Sequence, residues 1–577
     1  MKISKTLFKE YSKCNAFCGL DEIYYRKKNA AINNDELLEL LNRMFDEDGE
    51  DNVRVEDEKL TVMQEYYKDV ERVCLKEANK IFGKDFKYSD DTKEQMMISF
   101  YDKNGNQFYT YLDGYNDDDD IIVIEVKATT SEKYLNLGPT KKKIIDSIFE
   151  LNNSIITLKD DTFYDEKKLN NYKKLFDRFS DVGKYIYDIA VTNFILEGFI
   201  HNNHRLHRKK VRLYLGLLNK KYIYDGYSDY EENTERVVHF LDVSNIVKEY
   251  QSIINDEYEK IVDNIKNLHT KDCFQKACRK DCVYCDVCFP FLAQKNSIQT
   301  LLGKKQIKVM DKTIDLVELV NNGYHKITDI PYNYLTDPNK IIQRDSVENC
   351  KEYADLKGIE KQINENIVYP IYHLDFESFQ PPLPLRKGEW PYIQSVFQFS
   401  IHIQKEPFVC DKDLDNVSFI ANDFKDHREE LIQEMIKTID LDNGGTVLVY
   451  NKSFEYTRIE EMIAMFPKYE KPLKKIQAHM YDLMDVLKKG ENSVNYYHPD
   501  LNGSYSIKKL LPIYTNLSYS DLEVKNGIDA QVAYAKFKYL PQEDIDELRK
   551  NLIIYCKQDT YSMVEILDGL IKKSGVK

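Results

Sequence analysis

The chain has 577 residues, of which 42% are hydrophobic and 31% charged, with 21 Gly and 15 Pro. This excludes collagen-like, low-complexity and mainly disordered chains, and the length exceeds what one hydrophobic core usually serves, so two or three domains are expected. A net charge of −15 argues against a general basic coat for nucleic acid, but leaves open a local basic groove beside metal-binding acids.

The opening MKISKTLFKEYSKCNAFCGL has no apolar run long enough for a signal peptide, and no later segment approaches a bilayer span. The cytoplasm is the expected compartment, and no membrane partner is expected. Of the 11 cysteines, five lie between Cys273 and Cys288; in a reducing compartment such clustering favours a metal or iron–sulfur site over disulfides. The basic clusters at Lys141 to Lys143, His207 to Lys210 and Lys304 with Lys305 read as solvated faces before they read as phosphate contacts.

In chain order, the first chemistry lies in YLDGYNDDDDIIVIEVKATT. Asp113 precedes an apolar strand (121–126), and Glu125 and Lys127, two apart, share one strand face. Two acids on a divalent ion, with a lysine that orients water or steadies developing phosphate charge, form a hydrolytic arrangement. Asp117 to Asp120 read as the turn between two strands. The alternating VRLYLGLLN (211–219) reads as a further strand, and CFQKACRKDCVYCDVC closes the segment near residue 290. Residues 291–367 read as short and helical, without a chemical motif.

Beyond Tyr369 come the strands IYHLDFESF and SVFQFSIHI, an amphipathic helix around 425–438, the strand TVLVYN (446–451), and several helices, the last over roughly 542–573. This is an α/β pattern, a sheet covered by helices. A two-metal phosphodiesterase needs several carboxylates converging on two divalent ions about 4 Å apart. Asp375 and Glu377 share a strand face, Glu455 falls in the first turn of the helix after TVLVYN, and Tyr555 and Asp559 lie one turn apart on the last helix. The four acids would hold metal and Tyr555 would orient the attacking water. Each pattern alone is also common on ordinary surfaces. Asp482 and Asp485 are alternative suppliers that read first as helix-surface acids.

Taken together, LDFES, YNKSFEYTRI and YCKQD resemble the three motifs of the DnaQ-like DEDD exonucleases of the RNase H fold, the tyrosine matching the DEDDy subgroup. Glu455 departs from the Asp of most members. Asp113, Glu125 and Lys127 resemble the PD-(D/E)XK core of restriction-endonuclease-like domains. With the cysteines, the first half resembles RecB-like nucleases of the CRISPR-associated and AddB types, which bind a 4Fe–4S cluster through one early and three late cysteines. The resemblance implies Cys14, Cys278, Cys282 and Cys288 as ligands, with Cys273 and Cys285 as substitutes, and zinc as the alternative for four thiolates. Cys74, Cys350, Cys410 and Cys556 read as buried small apolar residues.

From SKTLFKEYSKC through EVKATT, YDIAVTNFILEG and LLNKKYIYDG to GSYSIKKLLP, the chain is similar over almost its whole length to an uncharacterised bacterial family joining a RecB-like nuclease to a DEDD-like domain. It departs at Thr192, where the resemblance expects Gln. That leaves the first half either a hydrolase or a DNA-binding, cluster-carrying module. The resemblance implies a RecB-like domain over 1–290, a helical connector over 291–367 and an RNase H-like 3′–5′ exonuclease over 368–577. The expected enzyme uses Mg²⁺ or Mn²⁺ on nucleic acid, DNA with a free 3′ end, in repair, recombination or defence. The alternatives are a non-catalytic iron–sulfur or zinc scaffold and an RNA-trimming exonuclease, since the metal chemistry is indifferent to the 2′-hydroxyl.

Overall fold

The computed structural model describes residues 1–24, 57–89, 94–227, 229–230, 235–270, 283–309 and 312–576. It is a mixed α/β structure with several sheets and many helices. The chain forms two compact units: Met1–Glu36, Met63–Cys278 and Pro381–Ile393 in the first, and Leu37–Val62, Arg279–Gln380 and Gln394–Lys577 in the second. Residues 291–367 therefore group with the second unit, and besides short helices they contain a hairpin, Gln306–Val309 against Lys312–Asp315. Among the described residues no helix is long and apolar enough to cross a membrane.

In the first unit, strands β1 (Lys2–Ser4), β2 (Met96–Tyr101) and β3 (Gln107–Leu112) form a small sheet. The main sheet has six strands: β4 (Gly114–Asn116), β5 (Ile121–Thr130), β6 (Phe149–Asn152), β7 (Ile155–Leu158), β8 (Val211–Leu218) and β9 (Val238–Asp242), in the order β4-β5-β8-β9-β7-β6. The helices used below are α1 (Lys5–Tyr11), α2 (Phe17–Tyr24), α3 (Asp57–Phe82), α4 (Gly183–His201) and α5 (Ser244–Asn267). The pairings of β5 with β8 and of β9 with β7 are parallel and the others antiparallel.

Strand β5 opens with four consecutive buried apolar residues because both of its faces are covered. Ile122 and Ile124 pack with Val70, Cys74 and Ala78 of α3, while Glu125 and Lys127, on the other face, meet α4. A Cβ at Gly216 of β8 would stand 2.3 Å from Cys74 Sγ, so glycine there lets helix and sheet approach closely. Asp117 to Asp120 turn between β4 and β5, with Asp119 on Lys84 at 2.6 Å and Asp120 on Arg212 at 3.0 Å.

The stretch Pro381–Ile393 lies in sequence between two strands of the second unit, yet its residues belong to the first. Leu383 joins the core around Phe86 and Phe240, and the Tyr230 hydroxyl donates to the Pro384 carbonyl at 2.9 Å. Backbone N–H groups of Tyr224 and Gly388 donate to the carbonyls of Glu389 and Tyr224, each at 2.8 Å. The Tyr392 hydroxyl donates to the carbonyl of Ala128, next to Lys127.

The second unit holds a five-stranded mixed sheet of β10 (Ile371–Phe379), β11 (Ser395–Gln404), β12 (Asn416–Ile420), β13 (Thr446–Val449) and β14 (Met480–Asp482), ordered β12-β11-β10-β13-β14. The β12-β11-β10 pairings are antiparallel and the β10-β13-β14 pairings parallel. Its helices include α6 (Arg428–Thr438), α7 (Lys452–Met465), α8 (Ile507–Tyr514) and α9 (Gln542–Ser574). On one sheet face Tyr372, Leu374 and Phe376 pack with Leu431 and Ile432 of α6 and Ile459 and Met462 of α7.

The opposite face of β11 carries Gln398, Ser400, His402 and Gln404, all 0% exposed. Gln398 Nε2 donates to the Leu552 carbonyl at 2.8 Å, Ser400 and His402 each meet Thr560 Oγ1 at 2.8 Å, and Gln404 donates to Asp568 at 2.9 Å. This ladder seats α9 along β11, beside the acids of β10.

Candidate functional site

Alternation on β10 sends Leu374 and Phe376 into the core and Asp375 and Glu377 to the other face. Between β13 and α7 the chain turns through Asn451 in the left-handed region (φ 69°), which asparagine tolerates better than most residues. The turn is fastened by Asp482, whose carboxylate accepts from the backbone N–H groups of Asn451 at 3.2 Å and Lys452 at 3.0 Å. Glu455 consequently points from the first turn of α7. On α9, Tyr555 and Asp559 share a face.

Asp375, Glu377, Glu455, Tyr555 and Asp559 all line one cleft, together with Lys508 of α8. Glu377, Glu455, Tyr555 and Asp559 are buried and Asp375 is half-buried. Asp482 and Asp485 do not line the cleft; Asp482 serves the backbone amides and Asp485 pairs with Lys489 at 2.7 Å.

Two side chains at this centre, Tyr519 and Cys556, were not expected there from the sequence. The Tyr519 hydroxyl donates to Asp559 Oδ1 at 2.6 Å and lies 3.1 Å from the Ser562 hydroxyl. Burial, then the Asp559 charge, pushes the Tyr519 phenol well above its ordinary range, so it stays a donor. Cys74 and Cys556 are buried, as expected of small apolar residues, whereas Cys350 is exposed and Cys410 half-buried, against that expectation; the Cys556 thiol lies 3.3 Å from Asp375 Oδ2. Burial, followed by the charges of Asp375, Glu377 and Asp559, pushes the thiol up. Ligand atoms of Asp375, Glu377 and Cys556 lie within 4.8 Å of one another, a spacing that one divalent cation fits. YCKQD places Cys556 beside a signalled tyrosine, but nothing in the sequence says that the thiol reaches β10.

The first unit also gathers its expected residues, with additions. Lys5, Glu125, Lys127 and Asp188 are 6, 3, 7 and 4% exposed, so their charges are largely out of water. Lys5 Nζ lies 2.5 Å from Glu125 and 3.2 Å from Asp188; Lys127 Nζ lies 3.2 Å from Glu125 and 2.7 Å from Asp188. Lys9 reaches Asp188 at 2.7 Å. Thr192, one turn beyond Asp188 on α4, donates to Glu125 Oε2 at 3.3 Å.

Asp113 accepts from the Val126 N–H at 2.8 Å, and burial followed by the Glu125 charge lifts its carboxyl to about 7. Burial acts in the same sense on Asp188, but the ammoniums of Lys127, Lys5 and Lys9 overcome it and hold that carboxyl well below the usual range. Lys5, Lys9 and Asp188 carry no sequence signal of this role, because their partners are brought up by folding.

Of the expected cluster ligands, Cys278 and Cys282, with the substitute Cys273, lie outside the described residues. Cys14 is buried just before α2, and Cys18 is buried within it. Cys285 and Cys288 bracket a one-turn helix.

A family model described as a domain of unknown function, DUF2779, matches residues 372–506. The match spans Asp375, Glu377 and Glu455 and ends before Tyr555 and Asp559. The uncharacterized protein UU173 of Ureaplasma parvum serovar 3 is 30% identical over 217 residues, covering 35% of this chain and 31% of that protein. The aligned part of the chain thus spans about a third of that relative's length. No solved structure gives a significant match.

Proposed function

We propose that the chain is a metal-dependent nuclease whose second unit hydrolyses phosphodiester bonds from the 3′ end of a nucleic acid, DNA in the first instance. The observation that carries this reading is that carboxylates from three separated segments converge with Tyr555 on one cleft. The mixed five-stranded sheet with helices over it supports the RNase H-like assignment. Mg²⁺ or Mn²⁺ bound there would lower the pKa of water and offset charge on the leaving oxygen. Asp375, Glu377, Glu455 and Asp559 would hold the ions, the Tyr519 hydroxyl keeps the Asp559 carboxylate aimed, and the Tyr555 hydroxyl would orient water.

In the first unit, Asp113 and Glu125 would hold a divalent ion in the PD-(D/E)XK reading, and Lys127 would face the scissile phosphate. An ion entering there must move Lys5 from Glu125. This favours a first unit that contributes binding more than turnover, with a 4Fe–4S or zinc cluster on its cysteines. Repair, recombination or defence in the cytoplasm is the setting that suits these activities.

The test is digestion of 3′-labelled single-stranded DNA, with matched RNA beside it, by the full chain in Mg²⁺, Mn²⁺ or Ca²⁺. Activity with the first two and none with Ca²⁺ is expected, since Ca²⁺ coordinates too loosely to place water and leaving oxygen. Wild-type release of mononucleotides by an Asp375→Asn, Asp559→Asn protein that also carries Glu125→Ala would overturn the assignment.

A further inference from the structure

We propose that Lys508, beside Tyr555, forms a phosphate subsite of the cleft that receives a phosphodiester near the 3′ end of a nucleic-acid strand. This rests on the nuclease reading and adds a residue to which nothing above assigns a role. Four carboxylates line the cleft, and among its described lining residues Lys508 is the one ammonium. Metal ions can offset the acids, but a polyanion brings further charge that those ions do not meet. A fixed ammonium on the cleft wall supplies the missing contact.

Its position follows from packing. Lys508 Nζ sits 5.3 Å from the ring centroid of Tyr519 and 5.6 Å from that of Tyr555. Attraction between an ammonium and a ring face holds it near those phenols. Tyr519 is itself hydrogen-bonded to Asp559 and Tyr555 lines the cleft, so the cation is tied to the frame that carries the acids. Lys508 is also the second residue of the eight-residue α8, where the helix dipole favours an approaching anion. The lysine is only half-buried, which leaves it accessible to a ligand.

A purely structural role, a cation propping two rings, makes different predictions. The full chain would be compared with Lys508→Met, which keeps the stem and removes the charge, and Lys508→Arg, which restores it. Binding of fluorescent oligothymidylate would be followed by anisotropy with Ca²⁺ in place of Mg²⁺, over a series of salt concentrations, with thymidine 5′-monophosphate as competitor. Lys508→Met should raise Kd about tenfold and reduce the slope of log Kd against log salt by about 0.7, the weight of one single-strand phosphate contact. It should weaken the competitor alike and leave the melting temperature unchanged, and Lys508→Arg should restore affinity and slope.

An unchanged Kd and slope in Lys508→Met, with wild-type protein still digesting from the 3′ end, would overturn the subsite and spare the nuclease reading. A lowered melting temperature with an unchanged slope would make Lys508 a prop and also overturn it. If the wild-type chain neither binds the oligonucleotide or the monophosphate nor digests DNA, both readings fall together.

Discussion

Each unit buries a group of acids, but the two groups are balanced differently. In the first, Asp113, Glu125 and Asp188 are interleaved with Lys5, Lys9 and Lys127, and most of the attraction is satisfied within the protein. In the second, four carboxylates face one cleft with a single ammonium among its described lining residues. Burying charge is costly unless a partner is supplied. The first site therefore stands assembled from its own side chains, whereas the lining of the second holds more carboxylates than ammoniums, and in the proposed reading divalent ions would supply the balance.

The sharpest way to break this contrast is to remove one cleft acid. Asp375→Asn or Asp559→Asn should lower 3′-end digestion by at least about a hundredfold. The melting temperature should hold or rise, because the amide relieves repulsion among acids. A rate within a few-fold of wild type would end the proposal that the cleft acids of the second unit hold the catalytic metal.

Lys5→Met tests the other side. Removing one partner of a buried ion pair costs about 3–5 kcal/mol, so denaturant unfolding of the full chain should show the first unit's transition at clearly lower concentration. A shift near zero would mean that the lysines are dispensable and that the two sites are alike.

A pH titration probes the seam that positions α9. His402 is buried, and burial, aided by the ammoniums of Lys557 and Lys412 and only partly opposed by its bond to the Lys412 carbonyl, leaves it at about 4 in the fold, below an unfolded value of about 6.5. The unfolded chain binds the proton more readily. Its contribution to stability is therefore complete above pH 6.5 or so and falls away as the pH drops towards about 4, by up to about 3 kcal/mol at roughly 1.4 kcal/mol per unit. Thermal melts of wild type and His402→Gln across that window should diverge at high pH and converge at low pH; parallel curves would remove the histidine from the account. The smallest effect is expected from Tyr519→Phe, which loses the hydroxyl on Asp559. A fall of about tenfold in kcat with nearly unchanged KM is the expected kinetic result for a residue that only aims an acid.

What could be read from the sequence was local geometry. Asp375 and Glu377 two apart on a strand, Glu455 in a first helical turn, and Tyr555 and Asp559 four apart each have their face fixed by backbone period alone. What escaped was long-range. Lys5 meets Glu125 and Asp188 across 120 and 183 residues, and Tyr519 meets Asp559 across 40. The alternation of Gln398, Ser400, His402 and Gln404 has the form of a solvent-facing strand edge, but α9 covers it and its polar atoms become helix anchors. Residues 291–367 offered no motif because their structure is set by packing into the second unit.

The insertion of Pro381–Ile393 changes how the molecule can be cut. A protein made only of the first half would lack Leu383, the Pro384 acceptor and the Tyr392 hydroxyl beside β5. One made only of residues 368–577 would carry those groups with no core to receive them. The chain passes from one unit to the other several times, so no single scission separates them. Limited proteolysis should leave the two units associated after the first nick, and a truncated version that loses activity would report a broken first unit as readily as a missing catalytic group.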